Sequence, residues 1–84
     1  MMKNLVISKH IHFRYESKIL GGKTFIFHLE TSKILIADKM AYEILKCIKS
    51  NTLTMERLSN IFPNSDCNEF VTNMIENGVV GYAH

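Results

Sequence analysis

The side chains best suited to chemistry are the histidines. His10 and His12 lie in "KHIHFRY", and His28 lies in "FIFHLE". Alternate positions on a strand share a face, so His10, His12 and His28 could meet on one side of a small sheet. Three imidazoles suffice to hold zinc, but solvent-facing histidines are the commoner arrangement, and no metal is expected. Cys47 and Cys67 lack metal-ligand spacing and read as reduced thiols packed like small apolar groups. No nucleophile–base arrangement, glycine-rich phosphate loop or carboxylate pair stands out, so neither catalysis nor a cofactor is expected. What remains is main-chain chemistry. "KILIA", Lys33 to Ala37, is apolar on both faces and has no charge or proline within it, only Lys33 and Asp38 at its ends. A stretch apolar on both faces reads first as an interior strand with both edges paired; with one edge unpaired it would offer N–H and C=O groups to another chain.

The elements that must position this stretch follow from period and punctuation. The chain has 84 residues, 46% of them hydrophobic, which allows one domain with a small core. It lacks an apolar run of about 18 residues, so no membrane span is expected, and its opening is too short for a signal peptide. A cytoplasmic protein is the simple expectation. "HIHFRY" alternates, with Ile11, Phe13 and Tyr15 on one face and His10, His12 and Arg14 on the other. "LGGK" supplies a turn, and "TFIFHLE" returns with Phe25, Phe27 and Leu29 on one face. "ILIA" makes a third strand, and the short connections favour an antiparallel meander.

Three helices follow. Asp38 can cap the first, whose stripe is Ala41, Ile44, Leu45 and Ile48. Thr54 can cap the second, with Leu53 and Leu58 spaced as a hydrophobic staple and Leu58, Ile61 and Phe62 as its buried stripe. Pro63 stops it. "SDCNE" opens the third, with Asp66 and Glu69 spaced like a capping box and Cys67, Phe70, Val71 and Met74 as the stripe. Gly78 is suited to end it, and "VVGYA" could pack back or add a strand. The last two helices, joined by "PNS", read as a helix-turn-helix. The expected fold is α+β and winged helix-turn-helix-like: a three-stranded antiparallel sheet followed by three helices, as one domain over 1–84.

The order and spacing of "ILIADKMAYEIL", "TLTMERL" and "EFVTNMIENGVV" resemble the PqqD-like family, the RiPP recognition elements. The likeness runs from about Ile11 to Val80. Asp38 stands where the family usually has Asn, Ala37 where a larger apolar residue is usual, and Ser50-Asn51 where a glycine usually follows the first helix. The resemblance implies a non-catalytic domain that binds the leader segment of a ribosomally made precursor peptide. It would present that leader to a modifying enzyme such as a radical SAM enzyme, a cyclase or a leader peptidase. It implies a leader added as a strand beside Lys33, Ile34, Leu35, Ile36 and Ala37, in a groove walled by Phe70, Asn73, Met74 and Asn77.

Physical chemistry adds conditions of its own. Four or five main-chain hydrogen bonds at about 1 kcal/mol each fall short of the roughly 8 kcal/mol of micromolar binding. Buried apolar anchors must make up the difference. Phe70 and Met74 suit that role, although a stripe at helical spacing is core by default. All ten Lys and Arg residues lie between Lys3 and Arg57, while Leu58 to His84 carries only acids. The basic part could attract an acidic leader, or be an ordinary solvated surface. The rival function is a winged-helix DNA-binding regulator. Its reading helix would be "SDCNEFVTNMIEN", with three acids and no base, which repels phosphate. A third expectation is a homodimer through the same sheet edge.

Overall fold

The computed structural model describes residues 3–51, 53–63 and 66–83. Its elements run β1 (Leu5–Ile7), β2 (Ile11–Glu16), β3 (Lys23–His28), β4 (Lys33–Ala37), α1 (Lys39–Ser50), α2 (Met55–Ile61), α3 (Cys67–Glu76) and β5 (Val80–Tyr82). The architecture is α+β: an antiparallel sheet in the order β2-β3-β4, a smaller β1-β5 sheet, and three helices.

The meander forms where alternation and turn chemistry predict it. Between β2 and β3 the chain turns through Leu20, Gly21 and Gly22, all at positive φ. A Cβ at Gly22 would collide with the Tyr15 hydroxyl, so this position needs glycine for space as well as for φ. Ser32 takes positive φ in the tighter turn before β4. Register places Tyr15, Thr24 and Ala37 in one cross-strand row, and Phe13, Ile26 and Leu35 in the next. These rows face the helices: Ile26 and Thr24 are fully buried, and Phe13 and Leu35 pack against the core.

Each helix starts at the cap its sequence signals. Asp38 Oδ1 accepts the Ala41 N–H at 3.0 Å, Thr54 Oγ1 accepts that of Arg57 at 3.3 Å, and Asp66 Oδ1 accepts that of Glu69 at 3.3 Å. Helix α3 closes on Gly78, with Val79 N–H on Met74 C=O at 2.9 Å and Gly78 N–H on Ile75 C=O at 3.1 Å, a Schellman pair. One core gathers Leu5, Ile26, Ile44, Leu45, Ile48, Leu53, Leu58, Cys67, Val71, Met74, Val79 and Val80. Leu53 and Leu58, the staple pair, are both in it. The two cysteines form no disulfide.

Two expectations differ from the structure. Ile61 does not complete a buried stripe; it is 50% exposed, at the last turn of a seven-residue helix, whereas Phe62 leaves the helix and packs half-buried. The three histidines do not share a face. His12 lies opposite Phe27 while His28 lies opposite Ile11, so odd and even register send the two rings to opposite sides. The three-stranded antiparallel sheet is present as expected; beside it β1 and β5, the latter within "VVGYA", form a second sheet that pairs Leu5 with Tyr82 and Ile7 with Val80. The "PNS" turn falls on Asn64 and Ser65, outside the described residues.

Candidate functional site

Among the described residues, strand β4 is paired on one side only, with β3. Ladder parity fixes which of its main-chain groups are spare. The Leu29 N–H donates to the His10 C=O at 2.9 Å, continuing the β2–β3 register by one pair. In an antiparallel ladder, residues alternate in the neighbour they bond. Phe25 and Phe27 therefore bond towards β2, and Thr24, Ile26 and His28 towards β4. Their partners Ala37, Leu35 and Lys33 face β3. The N–H and C=O groups of Ile34 and Ile36 consequently point to the open edge.

The side chains of these two residues are also the most exposed large apolar groups of β4, at 57% and 61%. Cross-strand pairing sets Ile36 beside Phe25 and Ile34 beside Phe27, on the side of the sheet away from the helices. Both phenylalanines are half-buried. Arg14 Cζ lies 5.8 Å from the Phe27 ring centre and the His12 ring lies 6.1 Å from it, which places cationic and polar groups along the β2 side of the patch. The outer face is thus an apolar surface, graded from polar at β2 to bare aliphatic at β4. Sequence reading grouped Phe25, Phe27 and Leu29 on one face but could not tell that this face looks outward. Thr24 and Ile26 are on the opposite, inner face and fully buried, with the Thr24 hydroxyl donating to the Asp38 C=O at 2.7 Å.

The position of β4 is set by the same bond. Thr24 is fully buried, and its hydroxyl ties the middle strand to the residue that caps α1. Tyr42 of α1 packs edge-on against Phe13 and tilted against Tyr15, each with ring centres 5.8 Å apart, holding the helix over the inner face. Lys39, Lys46 and Lys49 lie over Tyr15, Tyr42 and Phe13 in turn, so the basic part of the chain forms a lysine row along this aromatic cluster.

The α3 residues expected to wall a groove fall into different places. Met74 is 5% exposed and belongs to the core. Phe70 is half-buried against that core. Asn73 is exposed and Asn77 half-buried, and the Asn77 amide donates to the Asn73 C=O at 2.8 Å and to its Oδ1 at 3.0 Å. The end of α3 reaches the inner face of the sheet, since a Cβ on Gly78 would lie 3.2 Å from His28 Nε2. A shallow cavity of about 350 Å³ lies along the outward side of α3, lined by Asn68, Glu69, Thr72, Asn73 and Glu76. Here the Asp66 side chain hydrogen-bonds Glu69 and its charge repels it, holding the Glu69 carboxyl above its ordinary pKa. A larger cavity, about 570 Å³, lies between β1 and the end of α1, with Lys9 and Lys49 at its wall. None of the four cavities described is lined by a residue of β4.

Among the described residues, no group of three His, Cys, Asp or Glu side chains is arranged to hold a metal. Among the same residues, no helix is long and apolar enough to cross a membrane. The chain matches no known family, no curated protein and no solved structure.

Proposed function

We propose that this protein is a non-catalytic, cytoplasmic recognition domain of winged helix-turn-helix-like build. It binds the leader segment of a ribosomally made precursor peptide by strand addition to β4 and presents it to a modifying enzyme. The observation that carries this reading is the vacant side of β4, where Ile34 and Ile36 offer main-chain groups with no charge or proline between them. The resemblance of "ILIADKMAYEIL" and the segments after it to the PqqD-like family supports the same edge.

An added strand would place alternate side chains beside Ile34 and Ile36 on the outer face. The side chains between them would turn towards Leu35 and the end of α3. Apolar residues at the outer positions would supply the binding that main-chain bonds alone do not reach. Of the α3 residues implied by the resemblance, exposed Asn73 and half-buried Phe70 and Asn77 would meet the inner positions; Met74 would shape the site from beneath. The lysine row on α1 gives the domain a basic side suited to an acidic leader or an acidic patch on the enzyme.

DNA is a poor fit. The exposed side of α3 carries Glu69 and Glu76 and no base, the opposite of what phosphate contact requires.

The test is calorimetry with the leader of a precursor encoded beside this protein's gene. The expected result is a 1:1 complex of micromolar affinity, weakened tenfold or more by Ile36→Pro, which removes an outward N–H, and unchanged by Glu76→Gln on α3. Wild-type affinity in a folded Ile36→Pro variant would exclude this edge.

A further inference from the structure

We propose that two copies of this chain pair through their β4 edges, antiparallel, with Leu35 of each copy at the two-fold axis. This is a property of the free protein and does not rest on the leader reading. Two antiparallel strands bond where opposing residues both aim their N–H and C=O across the seam. On β4 those residues are Ile34 and Ile36, placed symmetrically about Leu35. With Leu35 opposite its own copy, Ile34 meets Ile36 of the second copy and Ile36 meets Ile34, and each pair exchanges two hydrogen bonds. A one-residue slip sets outward main-chain groups against ones already committed to β3. A two-residue slip sets one isoleucine against Ser32 or Asp38, and Asp38 is occupied in capping α1.

The side chains agree with that register. On the outer face, Ile34–Ile36 contacts join the apolar ends of the two cross-strand rows, Arg14-Phe25-Ile36 and His12-Phe27-Ile34, to their copies across the seam. On the inner face Leu35 meets Leu35. Lys33 falls opposite Ala37 rather than opposite another lysine. Each end of the strand carries one base and one acid, Lys33 with Glu30 and Lys39 with Asp38, so the two-fold brings no ends of like net charge together. A second copy is therefore self-complementary to this edge in main-chain parity, apolar contact and charge. The contact is small, which makes the dimer weak and reversible.

Sedimentation equilibrium of the full chain tests this, with dissociation expected in the range of roughly 10 µM to 1 mM. The double variant Ile34→Lys/Ile36→Lys changes two exposed side chains. It should keep the wild-type circular dichroism and remain monomeric at the highest concentration. Mixed with Ile34→Glu/Ile36→Glu, it should form a heterodimer, because each introduced lysine then faces an introduced glutamate. A folded Phe25→Ser variant, altered on the outer face but off the edge, should still dimerise. A wild-type chain monomeric at 1 mM, a double-lysine variant that dimerises like wild type, or no association in the mixture would each overturn the proposal. So would loss of dimer in Phe25→Ser alone, which would assign the contact to face-to-face stacking.

Discussion

The sheet has two outer strands, and they are finished differently. On β2 the side chains turned away from the core are His12, Arg14 and Glu16, and Arg14 Nε lies 3.4 Å from the Glu16 carboxylate. Charge of this kind is the usual way to keep an edge from pairing. On β4 the corresponding side chains are Ile34 and Ile36. Yet the inner faces of the two strands are alike: Ile11, Phe13 and Leu35 all pack against the core. The requirement to fold dictates the inner residues of both strands. It does not dictate exposed isoleucines on one edge and ion-paired side chains on the other, and that freedom is what points to β4 as an edge kept for another chain.

Separating the two faces of one strand pair gives the largest expected effect. Ile26 and Phe25 are neighbours on β3, but Ile26 is 1% exposed and in the core. Ile26→Ala should cost about 2–5 kcal/mol of unfolding free energy in urea titration, whereas Ile36→Ala, at an exposed site, should stay within about 0.5 kcal/mol. A comparable loss at both positions, at a concentration where the chain is monomeric, would mean that the outer face is not an unpartnered surface in the monomer.

Thr24→Val tests how the β4 edge is held. It keeps the shape of the side chain but leaves the Asp38 C=O without the Thr24 hydroxyl, for an expected loss of about 1–3 kcal/mol. Asp38→Ala removes the cap of α1 at the same junction and should cost about 1 kcal/mol by thermal or chemical unfolding.

Much of this arrangement could be read from the chain, and the rest could not, for definite reasons. Asp38, Thr54 and Asp66 announced their helices because capping is local: a side-chain oxygen answers an N–H three residues on. Alternation revealed β2 and the Gly21-Gly22 turn revealed its hairpin. The β1–β5 pair stayed hidden because Leu5 meets Tyr82 across nearly the whole chain, and three-residue strands carry no period of their own. Leu53 likewise finds its main-chain partner in Leu5, at 2.7 Å. Period alone assigned Ile61 to the core, but α2 ends there, before that side chain meets a neighbour. For the site, "KILIA" was legible as an apolar strand, but its composition alone favours an interior strand with both edges paired, and only the family resemblance implied a bare edge. Which of its residues face that edge became readable only through the register with β3.

The smallest expected effect concerns the start of α3, at a carboxyl outside the proposed peptide site. Glu69 is held above its ordinary pKa by Asp66. A raised carboxyl pKa means the folded state binds the proton more tightly. The pair thus costs nothing below the ordinary carboxylate range, and it becomes slightly destabilising as pH rises through the raised value. Glu69→Gln should leave acid stability unchanged and raise stability slightly at neutral pH, read from denaturation midpoints at both pH values. A loss at neutral pH would show that the ionised carboxylate is stabilising.

Amide hydrogen exchange of β4, followed by NMR with and without the leader peptide at a protein concentration where the chain is monomeric, is the most direct measurement. Lys33, Leu35 and Ala37 should be protected in the free protein, because their N–H groups already bond β3. Ile34 and Ile36 should exchange fast when free and become protected when the peptide is added. Slow exchange of Ile34 and Ile36 in the free monomer, or bound peptide that leaves them unprotected, would contradict a strand added at this edge.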